Sequence, residues 1–180
     1  MGKALGTRFW PQLSPEWWAP PRFGLSFSTF KIGAIAISVN GSASSPVNPC
    51  GPTQRFSIAV PVTSSGPAGT MVLQVYVRPT FQTKHVYPAN RLLCWSKLPV
   101  PANGRATATI SCSAQDLGMW DLAVGDYMVK GGKYAVAVAQ YSGDPRPSTG
   151  TVDVAATPIP RPGESMRDVA EKYAGTKYGR

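Results

Sequence analysis

Phe56-Ser-Ile-Ala-Val-Pro-Val-Thr-Ser-Ser-Gly66-Pro-Ala-Gly-Thr-Met71-Val-Leu-Gln-Val-Tyr-Val77 is the stretch that decides the fold class. Phe56, Ile58, Val60 and Val62 alternate with Ser57, Ala59 and Pro61, the period-two pattern of a strand with one buried face. Met71 to Val77 repeats it, with Leu73, Val75 and Val77 on one side. The turn residues Ser64-Ser-Gly-Pro-Ala-Gly69 join the two, so they are expected to pair as neighbours. Proline brings no N–H to a ladder, which places Pro61 at an edge or a bulge.

Further out the pattern recurs. Ala106, Ala108, Ile110 and Cys112 alternate with Thr107, Thr109 and Ser111. Leu92 to Leu98 precedes them across a turn-rich Pro-Val-Pro-Ala-Asn-Gly104 connection, and Tyr134, Val136 and Val138 alternate with small alanines. Gly150 to Ala156 reads as a last strand. Upstream, Phe23, Leu25 and Phe27 share one face, as do Ile35, Ile37 and Val39, with a loop from Asn40 to Pro46. Arg78 to Asn90 is polar and irregular, and Asp116 to Asp126 reads as a loop or short helical turn around Trp120. With 18 glycines and 18 prolines and no helical periodicity between strands, the chain is all-β, an antiparallel sandwich or jelly roll.

The two ends differ from the middle. Residues 1–22 carry Trp10, Trp17 and Trp18 among Pro11, Pro15, Pro20 and Pro21, a composition that forbids regular helix and predicts an extended arm. Such an arm cannot bury its own indoles, so Phe9, Trp10, Leu13, Trp17 and Trp18 are candidate partner-binding residues. Residues 158–180 begin as a stiff proline-rich linker. Met166, Val169, Ala170 and Tyr173 then fall at helical spacing, with Ser165 and Asp168 in a capping arrangement and Gly175 as a stop. The apolar stripe of this short helix makes Met166, Val169 and Tyr173 the second candidate partner-binding set. The expected division is an arm over 1–22, a β-sandwich over 23–157, and a linker with a C-terminal helix over 158–180.

Composition bounds the chemistry. The net charge is +9, and no acidic residue lies between Glu16 and Asp116. The basic residues are scattered singly, which suits a solvated surface better than a nucleic-acid site. No run approaches the roughly 18 apolar residues of a membrane span, and prolines interrupt every apolar stretch where an export signal would lie. Cys50, Cys94 and Cys112 lack CxxC spacing, so no metal site is indicated, and reduced, buried thiols are expected. Cys94 and Cys112 could approach if their strands paired. The single histidine, His85, sits in a polar loop. Asp116, Asp121 and Asp126 lack the dense Asp/Asn/Gly loop of a calcium site. No catalytic residues and no cofactor are expected.

Three phrases add a resemblance. Asn48-Pro-Cys-Gly-Pro-Thr-Gln-Arg-Phe with the strand after it, Leu98-Pro-Val-Pro-Ala-Asn-Gly-Arg-Ala-Thr-Ala-Thr-Ile, and Gly132-Lys-Tyr-Ala-Val-Ala-Val138 occur in the order found in immunoglobulin-like domains of the bacterial adhesion and fibronectin III kind. The chain resembles these, without the tryptophan-and-disulfide core of antibody domains. The resemblance implies an immunoglobulin-like β-sandwich in which Gly132 permits a tight entry and Tyr134 fills the end of the core. It also implies a setting, since similar domains without export signals occur in virion proteins of tailed bacteriophages. The resulting expectation is a non-enzymatic virion protein, a head decoration or tail-associated protein made in the host cytoplasm. Its expected partners are other capsid or tail proteins and further copies of itself, with a host-surface glycan as an additional one. The alternatives are a jelly-roll coat protein contacting the genome, or a carbohydrate-binding module using Trp95, Trp120, Tyr76 and Tyr141.

Overall fold

The computed structural model describes residues 26–39, 42–43, 54–81, 90–121, 125–159, 163–164 and 166–172. Strands β1 (Thr29–Ile32), β2 (Ala36–Val39), β3 (Ser42–Ala43), β4 (Arg55–Ser65), β5 (Gly69–Pro79), β6 (Arg91–Val100) and β7 (Arg105–Ser113) come first. A 3-10 turn (Ala114–Leu117) leads to β8 (Met119–Asp121), β9 (Asp126–Val129), β10 (Gly132–Ala139), β11 (Ser148–Val154) and β12 (Thr157–Pro158). Helix α1, Met166–Lys172, follows.

All strand pairing among the described residues is antiparallel. One sheet is built on β4, with β7 along one side, β1 and β2 end to end along the other, and β3 beyond β2. The second runs β11-β10-β5-β6, and a small third sheet runs β12-β9-β8. The inward residues of β4 (Phe56, Ile58, Val60, Val62) meet those of β5 and β10 (Leu73, Val75, Val77, Tyr134, Val136, Val138) in one continuous core. Alternation within each strand puts those residues on one face, so the two inner faces make the sandwich.

Two expected neighbours are separated. β4 and β5 lie in different sheets, as do β6 and β7, so the turns at 66–68 and 101–104 carry the chain across the sandwich. Turn residues permit a reversal whether or not the flanking strands pair, which is why composition did not distinguish the two cases.

Pro61 sits within a central strand rather than at an edge. Its carbonyl accepts a bond from Gly33 N at 2.8 Å, in the gap between β1, which ends opposite Val62, and β2, which starts opposite Ala59. A residue in an antiparallel ladder directs its N and O to the same side, so the missing N–H falls where the neighbouring strand is already interrupted. The first strand also begins later than the alternation suggested. Residues 27–28 form a bend, Phe27 is 99% exposed, and the packed positions are Phe30 and Ile32. Residues 23–25 lie outside the described part.

Gly132 and Tyr134 behave as the resemblance implied. Gly132 has φ +137°, and a Cβ there would lie 2.7 Å from Phe81 Cδ1. Phe81 packs its ring edge to face on Tyr134 with centroids 5.4 Å apart. Gly132→Ala is therefore expected to destabilise the domain by about 1–3 kcal/mol, combining backbone strain with displacement of Phe81. A thermal unfolding curve with an unchanged midpoint would contradict this.

Candidate functional site

At the end of the sandwich where β7 finishes, the 3-10 turn is capped by Ser113, whose side chain accepts from Gln115 N at 3.2 Å. Arg91 holds the turn's exit by donating to Leu117 O and Gly118 O at 3.3 and 3.0 Å. The chain emerges as the β8–β9 hairpin, in which Trp120 pairs across from Tyr127 and Asp121 from Asp126. The two rings meet edge to face at 5.3 Å and remain 45% and 54% exposed.

On the opposite face of the hairpin two buried carboxylates are neutralised by lysines. Asp121 pairs with Lys130, and Asp126 with Lys172 of α1 at 2.6 Å. Asp126 also accepts from Tyr127 N at 2.9 Å. Two like charges directly opposite each other on neighbouring strands repel, so each cation offsets a cost built into the pairing. Of the expected acidic trio, Asp116 stands apart in the 3-10 turn, and no metal-binding group of three appears among the described residues.

Of the four aromatics considered for sugar stacking, Trp95 is 60% exposed and Trp120 is half-exposed, while Tyr76 is buried and Tyr141 intermediate. Tyr76 donates to Gln74 on its own strand. Phe9, Trp10, Leu13, Trp17, Trp18 and Tyr173 lie outside the described residues, as do His85 and Cys50. Met166 and Val169 fall within α1, but their side chains are outside the description.

The cysteines correct another expectation. Cys94 of β6 and Cys112 of β7 form a disulfide with Cα atoms 5.9 Å apart, inside the ordinary range. They approach because their strands face each other across the core, not because they pair. The sandwich thus has an inter-sheet disulfide, although both described tryptophans are exposed rather than packed against it.

A family model described as a fibronectin type III-like domain matches residues 71–142, from β5 through β10. Probable beta-glucosidase M of Aspergillus oryzae is 28% identical over 134 residues, covering 68% of this chain and 17% of that protein. The exo-alpha-(1->6)-L-arabinopyranosidase of Bifidobacterium breve is 25% identical over 143 residues, covering 79% of this chain and 17% of that enzyme. Among solved structures, a GH3 beta-glucosidase of Bifidobacterium adolescentis superposes with TM-score 0.62 at 22% identity, over 88% of this chain and 22% of that one. The chain spans between 12% and 18% of the length of the curated relatives it matches.

These findings overturn the virion reading. The relatives named above are glycosidases. The expected setting, a virion assembled in a host cytoplasm, goes with it. The expectation of a non-enzymatic protein is corrected by the same relatives, which are enzymes of which this chain corresponds to one part. The jelly-roll coat protein, also a virion component, is displaced with the virion reading. What the fold and the comparisons together establish is an antiparallel β-sandwich of the immunoglobulin and fibronectin III-like kind.

Proposed function

We propose that this chain is the fibronectin III-like accessory part of a glycoside hydrolase whose catalytic groups lie in sequence beyond these residues. The observation that carries the reading is the agreement between the fibronectin III-like match and relatives that are all named for glycosidic-bond hydrolysis, beta-glucosidases foremost. The chemistry of the described residues supports it. Glycoside hydrolysis uses two carboxyl groups flanking an accessible sugar. Asp121 and Asp126 face each other, but they are 2% and 3% exposed and held by lysines, so neither is presented to a substrate. The domain's contribution is mechanical: a disulfide-braced sandwich that supports the catalytic part.

The purified 180-residue protein is therefore expected to unfold cooperatively yet hydrolyse none of the p-nitrophenyl β-D-glucopyranoside, β-D-xylopyranoside and α-L-arabinopyranoside substrates above the uncatalysed rate. Turnover that persists through purification and is lost on substituting a carboxylate of this chain would place catalysis within it and sink the proposal.

A further inference from the structure

We infer that β12, Ile159 and helix α1 form a strap across the β8–β9 hairpin whose far end releases without unfolding the sandwich, with Lys172 and Asp126 as the catch. The strap is a property of this chain alone and stands independently of the proposed function.

Its near end is built in. Thr157 and Pro158 pair with Val129 and Met128 of β9, and Ile159 N donates to Tyr127 O at 3.0 Å. The Ile159 side chain lies directly over Gly118, where there is no room for a Cβ, and packs against the core. The far end is held by charge. Lys172, the last residue of α1, donates to Asp126 Oδ2 at 2.6 Å across a sequence separation of 46. With seven residues, α1 is too short to persist undocked in water. Its Arg167, Asp168, Glu171 and Lys172 are all exposed.

The catch is asymmetric. The Asp126 side chain is 4% exposed and that of Lys172 is 41%, so the lysine returns to water readily while the carboxylate stays in the hairpin. There it stands opposite Asp121, itself buried and paired with Lys130. Release takes one of the two lysines from the carboxylate pair, and this end of the sandwich gains a negative charge. Its cost falls on the hairpin, as repulsion between Asp121 and Asp126. The lysine that remains belongs to the β9–β10 connection, whose Lys130 O accepts from the Tyr134 hydroxyl at 2.7 Å and so stays tied to the core. A change of charge at a defined contact distinguishes this two-state opening from fraying of a terminus.

Hydrogen–deuterium exchange on the whole 180-residue chain tests the catch. Lys172→Met is expected to speed exchange in α1 about tenfold and to leave β4, β5 and β10 unchanged. Arg167→Gln removes the exposed Arg167–Glu171 pair within the same helix and should change α1 exchange by less than about twofold. Adding Asp126→Asn to Lys172→Met should keep α1 fast yet raise the unfolding midpoint above that of Lys172→Met alone, because the repulsion with Asp121 is gone. Unaltered α1 exchange in Lys172→Met overturns the catch. Equal acceleration by Arg167→Gln assigns the effect to helix propensity and also overturns it. Acceleration of β4, β5 and β10 together with α1 shows that strap and sandwich open as one, which overturns independent release. A double variant whose midpoint is no higher than that of Lys172→Met overturns the change of charge on opening.

Discussion

Opening the Cys94–Cys112 disulfide is expected to cost the domain about 3 kcal/mol and lower its unfolding midpoint by roughly 10 °C. The bridge joins strands in opposite sheets of the folded domain, and in the unfolded chain it closes a loop set by a sequence separation of 18. Closing that loop removes conformational freedom from the unfolded state, while the folded pair needs only the separation the sandwich already provides. Thermal unfolding with and without reductant measures the difference. Under denaturing, non-reducing conditions iodoacetamide should add to one cysteine per chain, and to three after reduction. Three adducts without reduction, with no reductant-dependent midpoint, would restore the reading of free thiols. Bridges of this type form in oxidising compartments, so material made in a reducing cytosol should show the lower midpoint.

Tyr134→Ala is expected to be more damaging, at about 3–5 kcal/mol. Tyr134 is fully buried and is the largest such side chain among the described residues. It stands on β10 between Pro79 of β5 and Val152 of β11, with Phe81 against its ring. Its hydroxyl donates to Lys130 O at 2.7 Å, which ties the β9–β10 connection to the core. Truncation leaves a cavity the size of the ring and removes the donor from that carbonyl. Tyr134→Phe keeps the volume and should cost about 1 kcal/mol, which separates packing from hydrogen bonding. Denaturant titration distinguishes the pair, and equal losses for the two variants would contradict this division. Because a small domain holds only about 5–15 kcal/mol in total, the alanine variant should sit close to unfolding at 37 °C.

The fold class was legible because alternation is a local property. Phe56 to Val62, Met71 to Val77 and Tyr134 to Val138 each declare a buried face without reference to any other strand. Partnership between strands is not local. Gly66-Pro-Ala-Gly69 reads the same whether β4 and β5 pair or face each other across the core, so the neighbours were assigned wrongly. The same ambiguity hid the disulfide, whose cysteines approach only through that sheet crossing. The β8–β9 hairpin was missed because three- and four-residue strands leave too few alternations to count. Met119 and Met128, paired across it, were its available signal. Phe27 misled in the other direction: it extends an alternating run from Phe23 yet stands in solvent.

The functional setting was not legible at all. A sandwich of this kind serves many unrelated proteins, and the residues that would declare a glycosidase are not among the described ones. The resemblance therefore gave the right fold and the wrong setting.

The decisive measurement places this chain in Aspergillus oryzae beta-glucosidase M in exchange for the 134-residue segment it matches, and compares hydrolysis by that chimera with hydrolysis by the enzyme lacking the segment. Deletion is expected to abolish p-nitrophenyl β-D-glucopyranoside hydrolysis, and this chain to restore it to within about tenfold of the parent, as follows from exchanging one supporting sandwich for another. A soluble chimera no more active than the deletion enzyme would contradict it.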